Sequence, residues 1–199
     1  MSTGRTLNNS NWLKELVEAA YIGAVVFIAI QLAVVNFRVE GSSMRPTLLP
    51  GHYLMVNKLV YFPVDTERLG MIIPFWQPDE PGRVYLGRSP RLGDVVVFDY
   101  PEDPQRQFVK RIVGQPGQRV QINGGQVIVD GVRLDEPYLR GMSTSDMHPV
   151  RLNESEYFVM GDNRSGSQDS RHWGPLPADH IIGKVWAIYW PRSAWGFPQ

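Results

Sequence analysis

From Ala19 to Val35 the chain reads AAYIGAVVFIAIQLAVV, a run of 17 residues in which Gln31 is the one strongly polar side chain. As a helix at about 1.5 Å per residue it spans about 26 Å, a little over a turn short of a hydrocarbon core of about 30 Å. Trp12 and Leu13 before it, and Phe37 after it, can extend it. A buried core helix and a cleaved targeting segment would also be apolar. The run begins late for a cleaved segment, however, and the following VVNFRVE lacks a small-x-small cleavage pattern. The sequence therefore predicts an N-terminal segment over 1–18, one membrane anchor over 19–36 and a single domain over 37–199 on the far side. Arg5 and Lys14 precede the span and Arg38 follows it, while acidic residues count little for orientation; the N-terminus is expected in the cytoplasm.

Beyond the anchor the chain changes character. FRVE, HYLMVNKLVY, DVVVFDY, QFVKRIVG, RVQI, QVIVDGVRL, EYFVMG and KVWAIYW are short runs rich in β-branched and aromatic residues, punctuated by Gly, Pro, Asn and Asp. Asn123-Gly124 and Asp130-Gly131 are hairpin-type pairs. The fold class expected is mainly β, an antiparallel sheet domain behind one helix, with no internal repeat. Two stretches read as loop-like insertions: 63–90, with prolines at 63, 74, 78, 81 and 90, and the polar 136–154. Lys plus Arg and Asp plus Glu each total 20, and a zero formal charge argues against a nucleic-acid binder, which needs a basic face, while leaving a local basic patch open. There is no cysteine, which excludes a disulfide scaffold, a thiolate zinc site and a cysteine nucleophile.

Three segments could carry chemistry. Gly41-Ser42-Ser43-Met44-Arg45-Pro46-Thr47-Leu48 follows a strand and lies a few residues past the membrane exit. A serine held at such a turn can be a nucleophile, with free backbone N–H groups to hold an oxyanion; an ordinary polar turn reads the same way. A serine needs a base, and His52, His148, His172 and His180 sit in no recognisable triad setting. A neutral lysine is the other option. Lys14 flanks the anchor, whereas Lys58, Lys110 and Lys184 all fall in strands with apolar neighbours two positions away. Such neighbours disfavour the ammonium form, and alternation alone does not choose among the three. The third segment runs from Gly161 to Gly174. It fails the calcium-loop pattern, because Arg164 and Trp173 stand where ligands belong. If its later part is extended, Ser167, Asp169 and Arg171 share a face, and an Asp–Arg pair could fix the backbone that presents the Ser167 hydroxyl to a lysine base.

These segments, in this order behind one anchor, resemble the bacterial type I signal peptidase (leader peptidase) family. The resemblance is carried by GSSMRPTL, by RLGDVVVFDYPEDP running into QFVKRIVGQPGQ, and by GDNRSGSQDSRHWG. It implies a β-rich catalytic domain with a Ser–Lys dyad, needing neither cofactor nor metal. Ser43 matches the nucleophile and Lys110 the general base. Ser167 matches the serine that orients the lysine, and Asp169 with Arg171 a structural pair beside it. The family's oxyanion hole uses the nucleophile's own N–H and the residue two positions earlier. Some members have a serine there; this chain has Gly41, which leaves backbone donation. Phe37, Val39, Met44, Leu48 and Val109 match the walls of pockets for small side chains in an Ala-x-Ala pattern. About 114–154 corresponds to a small inserted β subdomain. The partners implied are the signal peptides of preproteins and the lipid bilayer, with a bacterial inner membrane ahead of a thylakoid or other organelle membrane; Phe75, Trp76 and Trp195 could dip into the interface. A self-cleaving repressor would share the dyad but carry a DNA-binding domain where the anchor stands. A Ser–His–Asp hydrolase using His172 and a non-enzymatic anchored β domain are the other readings.

Overall fold

A computed structural model describes residues 11–61, 63–65, 83–85, 87–139 and 145–198. Helix α1, Asn11–Ala33, is 23 residues long. Within Trp12–Ala33 an 18-residue window has a mean hydropathy of 2.0 with none of it buried against the described chain, so the helix is long and apolar enough to cross a membrane. The helix is displaced toward the N-terminus relative to the apolar run. Val34 and Val35 leave it to open strand β1, Val34–Arg38, where they pair with Asn57 and Val56 of β2, Tyr53–Asn57. Lys58 N–H donates to the Ala33 carbonyl at 2.9 Å, closing one end of the helix onto the end of β2.

The remaining strands are β3 (Pro63–Asp65), β4 (Arg83–Tyr85), β5 (Val95–Tyr100), β6 (Asp103–Gly114), β7 (Arg119–Asn123), β8 (Gln126–Val129), β9 (Val132–Arg133), β10 (Met147–Arg151), β11 (Glu156–Met160), β12 (Leu176–Pro177) and β13 (Ile181–Trp190). Seven form one antiparallel sheet in the order β1-β2-β13-β5-β6-β11-β12. β5 is central and, Asp99 apart, buried along its length. Val95 and Val97 enter one core with Met44, Leu48, Leu54, Val56 and Val185. Val96 and Phe98 enter the core on the other face with Ile112, Tyr157 and Val159. A strand covered on both faces has no polar alternation, which is why DVVVFDY reads as a continuous apolar run.

A second sheet, β10-β7-β8-β9, packs its own core of Val120, Ile122, Val127 and Val129 against Val113 and Phe158. Asp130 and Gly131 both have positive φ, as a two-residue hairpin turn requires. The preceding hairpin turns one residue later than Asn123-Gly124 suggests: Asn123 pairs with Gln126, and Gly124 and Gly125 take the positive φ angles. The stretch 136–154 is not all loop, for β10 lies in it and pairs with β7. Within 63–90, β3 pairs with β4; Phe75 and Trp76 lie outside the described residues.

Candidate active site

The loop from Val39 to His52 leaves β1 and returns to β2. Val39 N–H bonds the His52 carbonyl at 2.8 Å and Gly51 N–H bonds the Val39 carbonyl at 2.7 Å, pinching its ends together. Met44 and Leu48 are driven fully into the core beneath it, at a transfer gain of about 1.5–3 kcal/mol for each such side chain. These anchors leave Ser43 half-buried on the surface above, its hydroxyl toward β6. Lys110 of β6 meets it, with Nζ 2.8 Å from Ser43 Oγ and 3.0 Å from the Val109 carbonyl. Lys110 is 3% exposed and its ammonium lies 5.2 Å from the centre of the Phe108 ring. Burial brings its pKa down to about 8, outweighing the opposing pull of the Asp169 and Asp162 carboxylates.

Geometry thus separates three lysines that the pattern leaves equal. Lys58 is exposed. Lys184 is spent on Asp94, with Nζ 2.7 Å from Oδ1, and Arg88 and Tyr61 bind the same carboxylate. None of the histidines reaches Ser43. The His52 ring accepts Leu49 N–H within its own loop, His180 contacts the Asp99 carbonyl, and His148 and His172 are exposed.

Ser167 is buried close to Ser43 and Lys110 but makes no hydrogen bond to Lys110, which is held instead by Ser43 and the Val109 carbonyl. Asp169 and Arg171 do pair, through Nε to Oδ1 at 2.7 Å and a second nitrogen to Oδ2 at 2.8 Å. They do not share the face of an extended segment. Asp169 is extended and caps the four-residue helix α2, Ser170–Trp173, and Arg171 folds back from its first turn. Asp169 Oδ2 also accepts Gly161 N–H at 2.9 Å. Burial would raise the Asp169 pKa, but the Arg171 and Gly161 hydrogen bonds outweigh it and hold the carboxyl below its usual range.

Gly161 and Asp162 are site residues that pattern reading passes over. A Cβ on Gly161 would lie 2.3 Å from Ser167 Oγ and 2.4 Å from the Ser43 carbonyl oxygen, so only glycine lets the two loops meet. Asp162 accepts Arg111 Nε at 2.9 Å, a second Arg111 nitrogen at 2.7 Å and the Thr47 hydroxyl at 2.5 Å. The signal for that network is in the sequence: Lys110 and Arg111 are adjacent on a strand, so both faces carry a cation, and a buried one needs a partner.

A cleft of about 580 Å³ opens beside Ser43 and Lys110. Phe37, Val39, Met44 and Val109 line it with Gly41, Ser43 and Lys110; Leu48 does not, being wholly within the core. Phe108, Arg106 and Gln168 also line it and were not anticipated. The N–H groups of Gly41, Ser42, Ser43 and Met44 donate to no described acceptor. Nothing lies within 4 Å of where a Gly41 side chain would begin. A half-buried hydroxyl, a desolvated amine in hydrogen-bond contact with it and free amides alongside can together perform acyl transfer.

The family model described as "Signal peptidase, peptidase S26" matches residues 10–190. "Probable signal peptidase I-2" of Synechocystis sp. is 32% identical over 183 residues, covering 92% of this chain and 75% of that protein. "Signal peptidase I T" of Bacillus subtilis is 34% identical over 187 residues, 85% of this chain and 84% of that one. "Thylakoidal processing peptidase 1, chloroplastic" of Arabidopsis thaliana is 29% identical over 192 residues, 92% of this chain and 52% of that one.

Proposed function

This chain belongs to the signal peptidase family, peptidase S26, and from that premise we infer that Ser43 and Lys110 are the dyad with which it removes signal peptides from exported preproteins. The enzyme is a serine endopeptidase. The observation that carries the dyad is the 2.8 Å contact between Lys110 Nζ and Ser43 Oγ, made by a lysine whose pKa burial lowers to about 8. Neutral Lys110 takes the Ser43 proton as Oγ attacks the scissile carbonyl, and the carbonyl's electron pair moves to oxygen, where the free N–H of Ser43 receives it. Collapse returns that pair, expels the amine of the mature protein and hands it the Lys110 proton. Water, deprotonated by Lys110, then cleaves the acyl-enzyme and restores the hydroxyl. Ser167 and the Asp169–Arg171 pair support the second loop against the first. Phe37, Val39, Met44 and Val109 suit shallow pockets for the small residues of an Ala-x-Ala site.

The anchor and the 37–199 domain fit an enzyme that works at the membrane surface, with α1 spanning and its N-terminus in the cytoplasm. Trp195 is 71% exposed, and Trp186, Trp190 and Phe197, not foreseen from sequence, are exposed as well; such rings settle at headgroup depth. The bacterial cytoplasmic membrane is the proposed site, and the Arabidopsis relative makes a thylakoid membrane the second reading. The test is cleavage of a preprotein by the detergent-solubilised chain. Ser43→Ala and Lys110→Arg should each lose activity by several orders of magnitude, since arginine stays charged, while Ser42→Ala should keep much of it. A Lys110→Arg enzyme working near the native rate would end the dyad assignment.

A further inference from the structure

The peptide unit joining Ser42 to Ser43 presents a carbonyl on one side and the nucleophile's own N–H on the other. Ser42 O accepts Asn163 Nδ2–H at 3.2 Å, besides Arg45 N–H at 3.2 Å. The next carbonyl, Ser43 O, accepts the backbone N–H of Asn163 at 2.9 Å. One residue of the second loop therefore clasps both carbonyls that flank the nucleophile. The carboxamide is itself confined: Oδ1 accepts the Ser165 hydroxyl at 3.3 Å, and a Cβ on Gly166 would lie 2.6 Å from Nδ2. A trans peptide is planar, with its C=O and N–H pointing in opposite directions. Holding Ser42 O from the Asn163 side thus aims Ser43 N–H away from Asn163. That N–H donates to no described acceptor, and Ser43 lines the cleft. A hydrogen bond accepted at the carbonyl also polarises the N–H of the same unit, making it a stronger donor.

We propose that Asn163 is a positioning residue for catalysis, whose carboxamide sets the direction and strength of the Ser43 N–H that holds the oxyanion. The inference rests on the Ser43–Lys110 reading. Asn163 hydrogen-bonds neither Oγ nor Nζ, so its effect falls on the transition state and not on ground-state binding.

The experiment uses the full chain in detergent with a signal-peptide substrate. Asn163→Ala removes the carboxamide but keeps the backbone N–H, and Asn163→Asp keeps the shape while turning a carboxylate oxygen toward Ser42 O. Loss of a direct oxyanion donor costs about 10²–10³ in kcat; loss of its support should cost about 10–100-fold, with KM changed less than about twofold. Asn163→Asp should lose at least as much as Asn163→Ala, and it supplies the measurement if the alanine variant melts below assay temperature. A peptide aldehyde provides the second readout. Ser43 Oγ bonds to its carbonyl carbon, the π pair moves to oxygen in the same hole, and the hydroxyl proton passes through Lys110 to give a hemiacetal. Its affinity should fall by the same factor as kcat/KM. Uncleaved substrate should bind a Ser43→Ala, Asn163→Ala double variant as tightly as Ser43→Ala alone. Native-like kcat in both Asn163 variants, a change confined to KM, or unchanged aldehyde affinity would overturn the proposal. If Ser43→Ala or Lys110→Arg is active, the dyad reading has failed instead; if both are dead while the Asn163 variants are native-like, the positioning role alone has failed.

Discussion

In the proposed dyad Lys110 serves function at the expense of stability. Its pKa in the folded chain is about 8, against about 10.4 for a free lysine, a difference of about 3 kcal/mol at about 1.36 kcal/mol per pH unit. Because the folded value is the lower one, the unfolded chain binds the extra proton between the two. The destabilisation is complete below pH 8 and is relieved as pH rises from 8 toward 10.4. Denaturant titrations should therefore find Lys110→Met more stable than the native chain at pH 7, with the gap closing by pH 10. In parallel, kcat/KM of the native enzyme should climb through about pH 8 and level off; a rate flat from pH 6 to 9 would contradict Lys110 as the base. At the substrate end, walls formed by Val39 and Met44, both buried, should admit Ala but not Phe at the position before the cut, and equal cleavage rates would refute that pocket. The residue types at the site were legible in the sequence, but the choice among three lysines was not. Alternation says which neighbours share a lysine's face. It does not say that Asp94 will reach Lys184, or that the Ser43 loop will fold over Lys110.

At the scale of elements, β6 serves two purposes at once. Lys110 faces the Ser43 loop, and Arg111, its neighbour on the other face, is 2% exposed and bound to Asp162, with the Tyr138 ring 3.8 Å from its guanidinium carbon. Thr47 joins the same carboxylate, so Asp162 ties together β6, the Ser43 loop and the end of β11. Asp162→Ala would remove the carboxylate that the buried Arg111 guanidinium pairs with, at a cost of about 3–5 kcal/mol. The urea midpoint should fall accordingly, and a shift worth less than about 1 kcal/mol would show the tie to be dispensable. β5 was readable because burial on both faces writes itself into composition. β10, MHPVR, is a polar edge strand with little buried surface, and its order comes from β7 rather than from its own residues. Helix α2 is four residues long, too short for any periodicity, and exists through its Asp169 cap.

For the whole molecule, the distance between α1 and the proposed nucleophile is the defining quantity. Ser43 follows the last residue of α1 by ten positions, five of them in β1, which at about 3.3 Å per residue reach about 17 Å. A signal peptide presents its cut site beside the membrane, so the reach fits the substrate. Inserting a flexible ten-residue linker between Ala33 and Val34 should slow cleavage of a bilayer-inserted preprotein at least tenfold and leave a short soluble peptide substrate nearly unaffected. Equal losses on both substrates would show that the junction matters for folding and not for height. The seven-stranded sheet has two margins, and they are guarded differently. At one end β12 is two residues long and finishes in Pro177, a blunt border that offers almost nothing to pair with. At the other, no described strand pairs with the outer side of β1, five residues beginning where α1 stops. Cut free of its helix, the molecule would carry that margin into solution, where copies could join flank to flank into ribbons; the anchor, besides fixing the enzyme's address, keeps its open hem off the street.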